Sequence, residues 1–67
     1  MITFEEEKYF VASGMAKVGG SFVKALGDTL HKADVINALK IKEAFPDYWK
    51  RYLELGKKEH EKEQAGE

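Results

Sequence analysis

Asp28, His31 and Asp34 follow one another at three-residue spacing, two carboxylates around an imidazole. On a helix, that spacing turns the three side chains toward neighbouring positions, as a metal site or a proton relay would require. Each of them also has a simpler use. Asp34 stands just before an apolar run beginning at Val35 and is a good helix N-cap. His31 falls near the end of the preceding helix, where the helix dipole favours a cationic side chain. Three ligands are few for a metal, so no metal site and no cofactor is expected. His60 lies in a charged terminal segment and is assigned no role.

Nucleophilic chemistry has no better footing. Neither Ser13 nor Ser21 has a histidine close in sequence or the strand-to-helix context of a nucleophile elbow. The carboxylate clusters, Glu5 to Glu7 and Glu59 to Glu63, fall in terminal segments rather than around a cleft. Sixty-seven residues also leave little interior in which to exclude water from a reaction. No catalytic residues are expected, and the chain reads as non-enzymatic.

The glycines raise the next question. Gly19 and Gly20 are adjacent within an otherwise helical pattern, where each costs about 1 kcal/mol relative to alanine. Ala12, Ala16 and Gly20 recur every four residues, a spacing that lets another backbone approach closely. The expected interface is therefore a seam of Ala12, Ala16 and Gly20 against the bulky Tyr48, Trp49 and Tyr52, within one chain or between two copies. The rival reading is an anion site, with Gly20 and Ser21 offering N–H groups at a helix start and Lys24 one turn on. No G-x-x-x-x-G-K-[ST] pattern supports it, and no strand precedes the turn. Tyrosine and tryptophan are enriched at binding hot spots, and Tyr48, Trp49 and Tyr52 spread around more than one helical face. One of the three is expected to mark a partner surface or a stacking site.

These residues need helices to position them. Thr3 and Glu6 have the spacing of a capping box, and Glu5 to Glu7 suit a helix N-terminus. Apolar residues then recur at Phe4, Val11, Met15, Val18, Phe22, Leu26 and Leu30 in helical phase, which predicts one long, kinked helix over 4–31. A second helix starts after Asp34 and ends at about Ala44, because Pro46 disfavours helical geometry in the residue before it. Pro46 suits the first turn of a third helix, with Asp47 beside it and a broad aromatic face after it. Gly56 is expected to end the ordered packing. The fold class is thus all-α, one long N-terminal helix plus two shorter helices with very short connections. Residues 1–58 read as a single helical domain, and 59–67 as a charged frayed helix or disordered tail.

Composition sets the remaining bounds. There is no cysteine, which removes disulfides and thiolate ligands and fits a reducing compartment. A domain of this size buries only about 60% of its unfolded surface, so oligomerisation or unusually good helix packing must help it. Residues 1–7 carry three glutamates, and 59–67 carry one lysine against four glutamates. Between them, residues 8–58 hold ten Lys/Arg against five Asp/Glu. A mildly basic body could attract a small anionic ligand, while acidic ends oppose nucleic-acid binding. The Phe45-Pro46 joint is also shorter than the turn of a helix-turn-helix. The acidic start has the wrong sign for a leader peptide, and no apolar run approaches the roughly 20 residues of a membrane span. A cytoplasmic protein without a membrane partner is expected.

Gly19-Gly20, Phe22, Leu26-Gly27 and the run Ala44-Phe45-Pro46, Tyr48-Trp49 together resemble a group of short proteins encoded by bacteriophages and prophages. The resemblance covers roughly Tyr9 to Leu55. It brings no established activity and no functional residue; it implies work inside a bacterial host cell. The leading expectation is a non-enzymatic, homo-oligomeric binding protein that inhibits a host or defence component. The alternative is a sponge for a nucleotide signal, with Gly20, Ser21 and Lys24 in its pocket. A DNA-binding regulator and a structural virion component are further alternatives.

Overall fold

In the computed structural model, residues 2–65 are described, with side chains through Glu63. All regular structure among them is helical: α1 (Phe4–Val18), α2 (Ser21–Lys32), α3 (Val35–Ala44) and α4 (Pro46–Ala65). The start of α1 follows from its capping box. Thr3 Oγ1 accepts from the Glu6 backbone N–H, while Glu6 Oε1 accepts from the Thr3 N–H, both at 3.1 Å. Asp34 caps α3 as expected, its carboxylate accepting from the Asn37 N–H at 2.8 Å. Pro46 opens α4, which has Asp47 in its first turn.

The single long helix over 4–31 is not present. The chain turns at Gly19 and Gly20 and starts a new helix, so the long element is two, and there are four helices rather than three. Both glycines have extended backbone angles at negative φ, so left-handed geometry is not what selects them. Gly19 is selected by space. A Cβ there would run into the Val23 side chain and lie 2.7 Å from the Met15 carbonyl oxygen. Phase is kept across the break, but Val18 and Phe22, the stripe residues on either side of it, are exposed. The buried positions of α2 are Val23 and Gly27, which lie off that stripe, and Leu30, which lies on it.

α1 is the centre of the packing, with α2 on one side and α4 on another. The core is Val11, Ala12 and Met15 of α1, Val23 and Leu30 of α2, Ala38 of α3, and Trp49 and Tyr52 of α4. Close approach of the helices runs through three other glycines. A Cβ on Gly27 would lie 2.8 Å from Met15 Cβ and 3.1 Å from the Ala12 carbonyl oxygen. One on Gly14 would lie 2.5 Å from the Tyr52 carbonyl oxygen and 3.0 Å from the Gly56 nitrogen. One on Gly56 would overlap the Phe10 carbonyl. Interiors packed to this density leave no slack for even a methyl group.

Gly56 therefore lies inside the α1–α4 contact instead of ending it. α4 continues for nine residues beyond it to Ala65. The His60 ring meets Phe10 edge-on at 5.4 Å, and Lys17 pairs with Glu63. Residues 66 and 67 of the expected tail lie outside the described residues. No helix among the described residues is long and apolar enough to cross a membrane.

Candidate functional site

The seam drawn from the sequence meets this fold only in part. Ala12 is buried at the α1–α2 contact, and Trp49 and Tyr52 are buried on α4, with Tyr48 half-buried. Ala16 and Gly20 are exposed, and nothing lies within 4 Å of where a Gly20 Cβ would stand. Inside the chain, close approach is the work of Gly14, Gly27 and Gly56. Their partners lie on other helices, 11 or more residues away, too far for a local pattern to indicate.

The helix start proposed as an anion cradle does exist. Gly20 is the N-cap of α2, with no side-chain hydrogen bond at that end and no acidic residue in the first turn. Ser21 and Lys24 are both exposed there. The Asp28, His31, Asp34 trio, by contrast, is dispersed. Asp28 pairs with Lys32 at 3.1 Å, Asp34 caps α3, and His31 meets the Tyr9 ring edge-on at 6.3 Å. Among the described residues no three His, Cys, Asp or Glu side chains gather as a metal site.

Two clusters gather around Trp49 and around Tyr48 and Tyr52, with Glu7, Lys42, Phe4, Phe22 and Phe45 as members that local sequence patterns do not assign to a site. The first joins α1, α3 and α4. Glu7 Oε1 accepts from Lys42 Nζ at 3.0 Å and from Trp49 Nε1 at 2.6 Å. The Trp49 ring stacks on Phe4 at 5.7 Å, nearly parallel, and the Lys42 ammonium lies within 6 Å of both rings. Burial works to raise the Glu7 carboxyl pKa. The hydrogen bonds from Lys42 and Trp49, with the positive charges of Lys42 and Lys57, outweigh burial and hold the group below its usual value. The carboxylate is thus held in its ionised form, with Oε1 taking both hydrogen bonds, which makes it a clasp between helices.

The second cluster is an aromatic shelf where the start of α2 meets the α3–α4 joint. Phe45 and Tyr48 stack at 5.8 Å with their planes 13° apart. Phe22 meets Phe45 edge-on at 6.2 Å and lies 6.4 Å from Tyr48. Tyr52 continues the row at 6.2 Å from Tyr48. Beside it is a cleft of about 320 Å³ lined by Phe22, Ala44, Phe45, Pro46, Asp47 and Tyr48. Phe22 remains 59% exposed at the rim. Pro46 builds the shelf by breaking the chain between α3 and α4, which turns Phe45 and Tyr48 to the same side. The apolar phase that includes Phe22 is the available sequence signal, and in the fold it marks an exposed ring.

Comparison with protein-family models, curated proteins and solved structures returns no match to this chain. The shelf and the clasp therefore stand on their own geometry.

Proposed function

We propose that the chain is a small, non-enzymatic, phage-type protein that works by binding in the bacterial cytoplasm, self-associates, and inhibits a host or defence component through the Phe22 shelf. The observation that carries this reading is the exposure of Phe22. A phenylalanine left 59% in water, on a platform of two stacked rings beside a cleft, forgoes burial that folding would reward. Aromatic anchors of this kind, seated next to a pocket, dominate the energetics of protein interfaces. Phe22 can reach a partner without any rearrangement of the core.

The test is affinity capture from bacterial extract with the wild type, Phe22→Glu and Ile36→Glu compared side by side. The proposal expects a partner retained by the wild type and by Ile36→Glu and lost with Phe22→Glu. A captured set identical for all three contradicts it.

A second reading is favoured by the uncapped start of α2 beside that exposed ring. Free N–H groups at Gly20 and Ser21, with Lys24 and the Phe22 face, suit the phosphate and base of a nucleotide. On this reading native mass spectrometry finds an added mass of nucleotide size, and Lys24→Ala removes it while the helical spectrum is unchanged. A bare chain mass after incubation with nucleotides contradicts it.

A further inference from the structure

Three rings line the cleft beside the shelf, Phe22, Phe45 and Tyr48, and with them one charged side chain, Asp47. Asp47 is exposed in the first turn of α4, next to Pro46. Lys50 and Arg51 follow it at three and four residues on the same helix, the spacing of helical ion pairs. Neither pairs with it, and among the described residues Asp47 takes part in no ion pair.

The rings are free in the same sense. The face of an aromatic ring carries negative charge and attracts cations. Elsewhere this chain uses that attraction on itself. The Lys42 ammonium lies 5.8 Å from the Phe4 ring and 5.6 Å from Trp49, and the Arg51 guanidinium lies 6.0 Å from Tyr52. Among the described residues no lysine or arginine stands over Phe22, Phe45 or Tyr48. Both halves of a cation site, the ring faces and the carboxylate, therefore meet in one cleft without a cation of their own.

From this arrangement we infer that the cleft receives an arginine side chain of the partner protein, its guanidinium against the rings and its N–H groups on the Asp47 carboxylate. It deepens the reading of the shelf as a partner surface, on which it rests, by naming the group recognised. A guanidinium is planar, so it lies flat on a ring while its edge donates two hydrogen bonds to a carboxylate. It is also more weakly hydrated than an ammonium, which lowers the cost of leaving water for an aromatic surface. An aliphatic side chain would strip water from Asp47 and return nothing. A carboxylate or phosphate would meet like charge there. The volume of about 320 Å³ accommodates one long side chain. It lies at the lower end of ligand clefts, which run to roughly 300–1,000 Å³.

NMR titration of the full chain with N-acetyl-arginine methylamide, whose only charge is the guanidinium, tests the site. N-acetyl-citrulline methylamide, similar in length and planarity but uncharged, is the comparison. The arginine probe should shift the Phe22, Phe45 and Tyr48 ring resonances and bind about fivefold or more tightly than citrulline, from cation–π attraction and one exposed ion pair. Asp47→Asn should narrow that preference with the helical circular dichroism unchanged. Shelf resonances that ignore the arginine probe, or respond equally to both probes, overturn the inference. An Asp47→Asn chain that keeps the full preference overturns it as well. Failure of the proposed function is read separately, in the capture experiment. A partner lost with Phe22→Glu yet fully retained by Asp47→Asn leaves the shelf standing and overturns the arginine. A partner retained by Phe22→Glu overturns the shelf itself, whatever the probes do.

Discussion

Replacing Gly56 by alanine sets helix propensity directly against packing. Gly56 lies inside α4, where alanine is favoured over glycine by about 1 kcal/mol when nothing else changes. A Cβ there would overlap the Phe10 carbonyl, a backbone group with no rotamer in which to retreat. The neighbouring approach at Gly14 is equally tight, since its own added Cβ would stand 3.0 Å from the Gly56 nitrogen. Relief therefore requires α1 and α4 to move apart along the contact that carries Val11, Met15 and Tyr52. Inserting a methyl group into such packing costs about 1–3 kcal/mol, or more where the backbone must shift. Because the obstacle is backbone, the cost lies at or beyond the upper end of that range, and after subtracting the propensity gain Gly56→Ala should be destabilised by about 2 kcal/mol or more. In a domain of this size each 1 kcal/mol lowers the melting temperature by roughly 4–8 °C. Circular dichroism melts in parallel with Gly20→Ala read the effect. Gly20 has open space around it, so that control should stay within about 0.5 kcal/mol of wild type. A Gly56→Ala protein as stable as wild type, or more so, would refute the close-packed seam.

Other consequences follow from the clasp and the caps. Glu7 is held ionised in the folded chain with its pKa below the usual carboxylate value, so its contribution to stability is present above that usual value and lost as pH falls toward the depressed one. Glu7→Gln should therefore flatten the acid limb of the stability curve below about pH 4.5, measured by urea unfolding across pH; an unchanged acid limb would contradict the clasp. Asp34→Ala removes the acceptor for the Asn37 N–H and should cost about 1 kcal/mol. Because Ala38 is the one residue of α3 that is buried, the loss should be concentrated in faster amide exchange of residues 35–44, and uniform acceleration along the chain would count against that picture.

The helix boundaries that depend on local chemistry were legible before any coordinates. Thr3 with Glu6, Asp34, and Pro46 each act on backbone groups within four residues, and all three sit where their types predict. The break at Gly19-Gly20 was not legible, because Val18 and Phe22 keep helical phase while facing solvent. Periodicity reports which residues are apolar; it does not report whether anything covers them. Gly14, Gly27 and Gly56 escaped for a related reason, since what excludes a side chain at each is an atom of a different helix, backbone at Gly14 and Gly56 and the Met15 Cβ with the Ala12 carbonyl at Gly27. Glu7 looked like one of three equivalent helix-start glutamates. Only the approach of Lys42 and Trp49, 35 and 42 residues further along, singles it out.

The chain packs its core through the α1 contacts and leaves Phe22 exposed at the rim of the shelf. Equilibrium urea unfolding of Phe22→Ala tests it most directly. Edge-to-face and tilted contacts with Phe45 and Tyr48 are worth about 0.5–1.5 kcal/mol beyond area burial, and the buried two-fifths of Phe22 adds about 1 kcal/mol, so the predicted loss is about 1–2.5 kcal/mol with no change in the slope of the unfolding line. A loss of about 3–5 kcal/mol, the cost of removing a buried phenylalanine, would place Phe22 in the core and contradict the account.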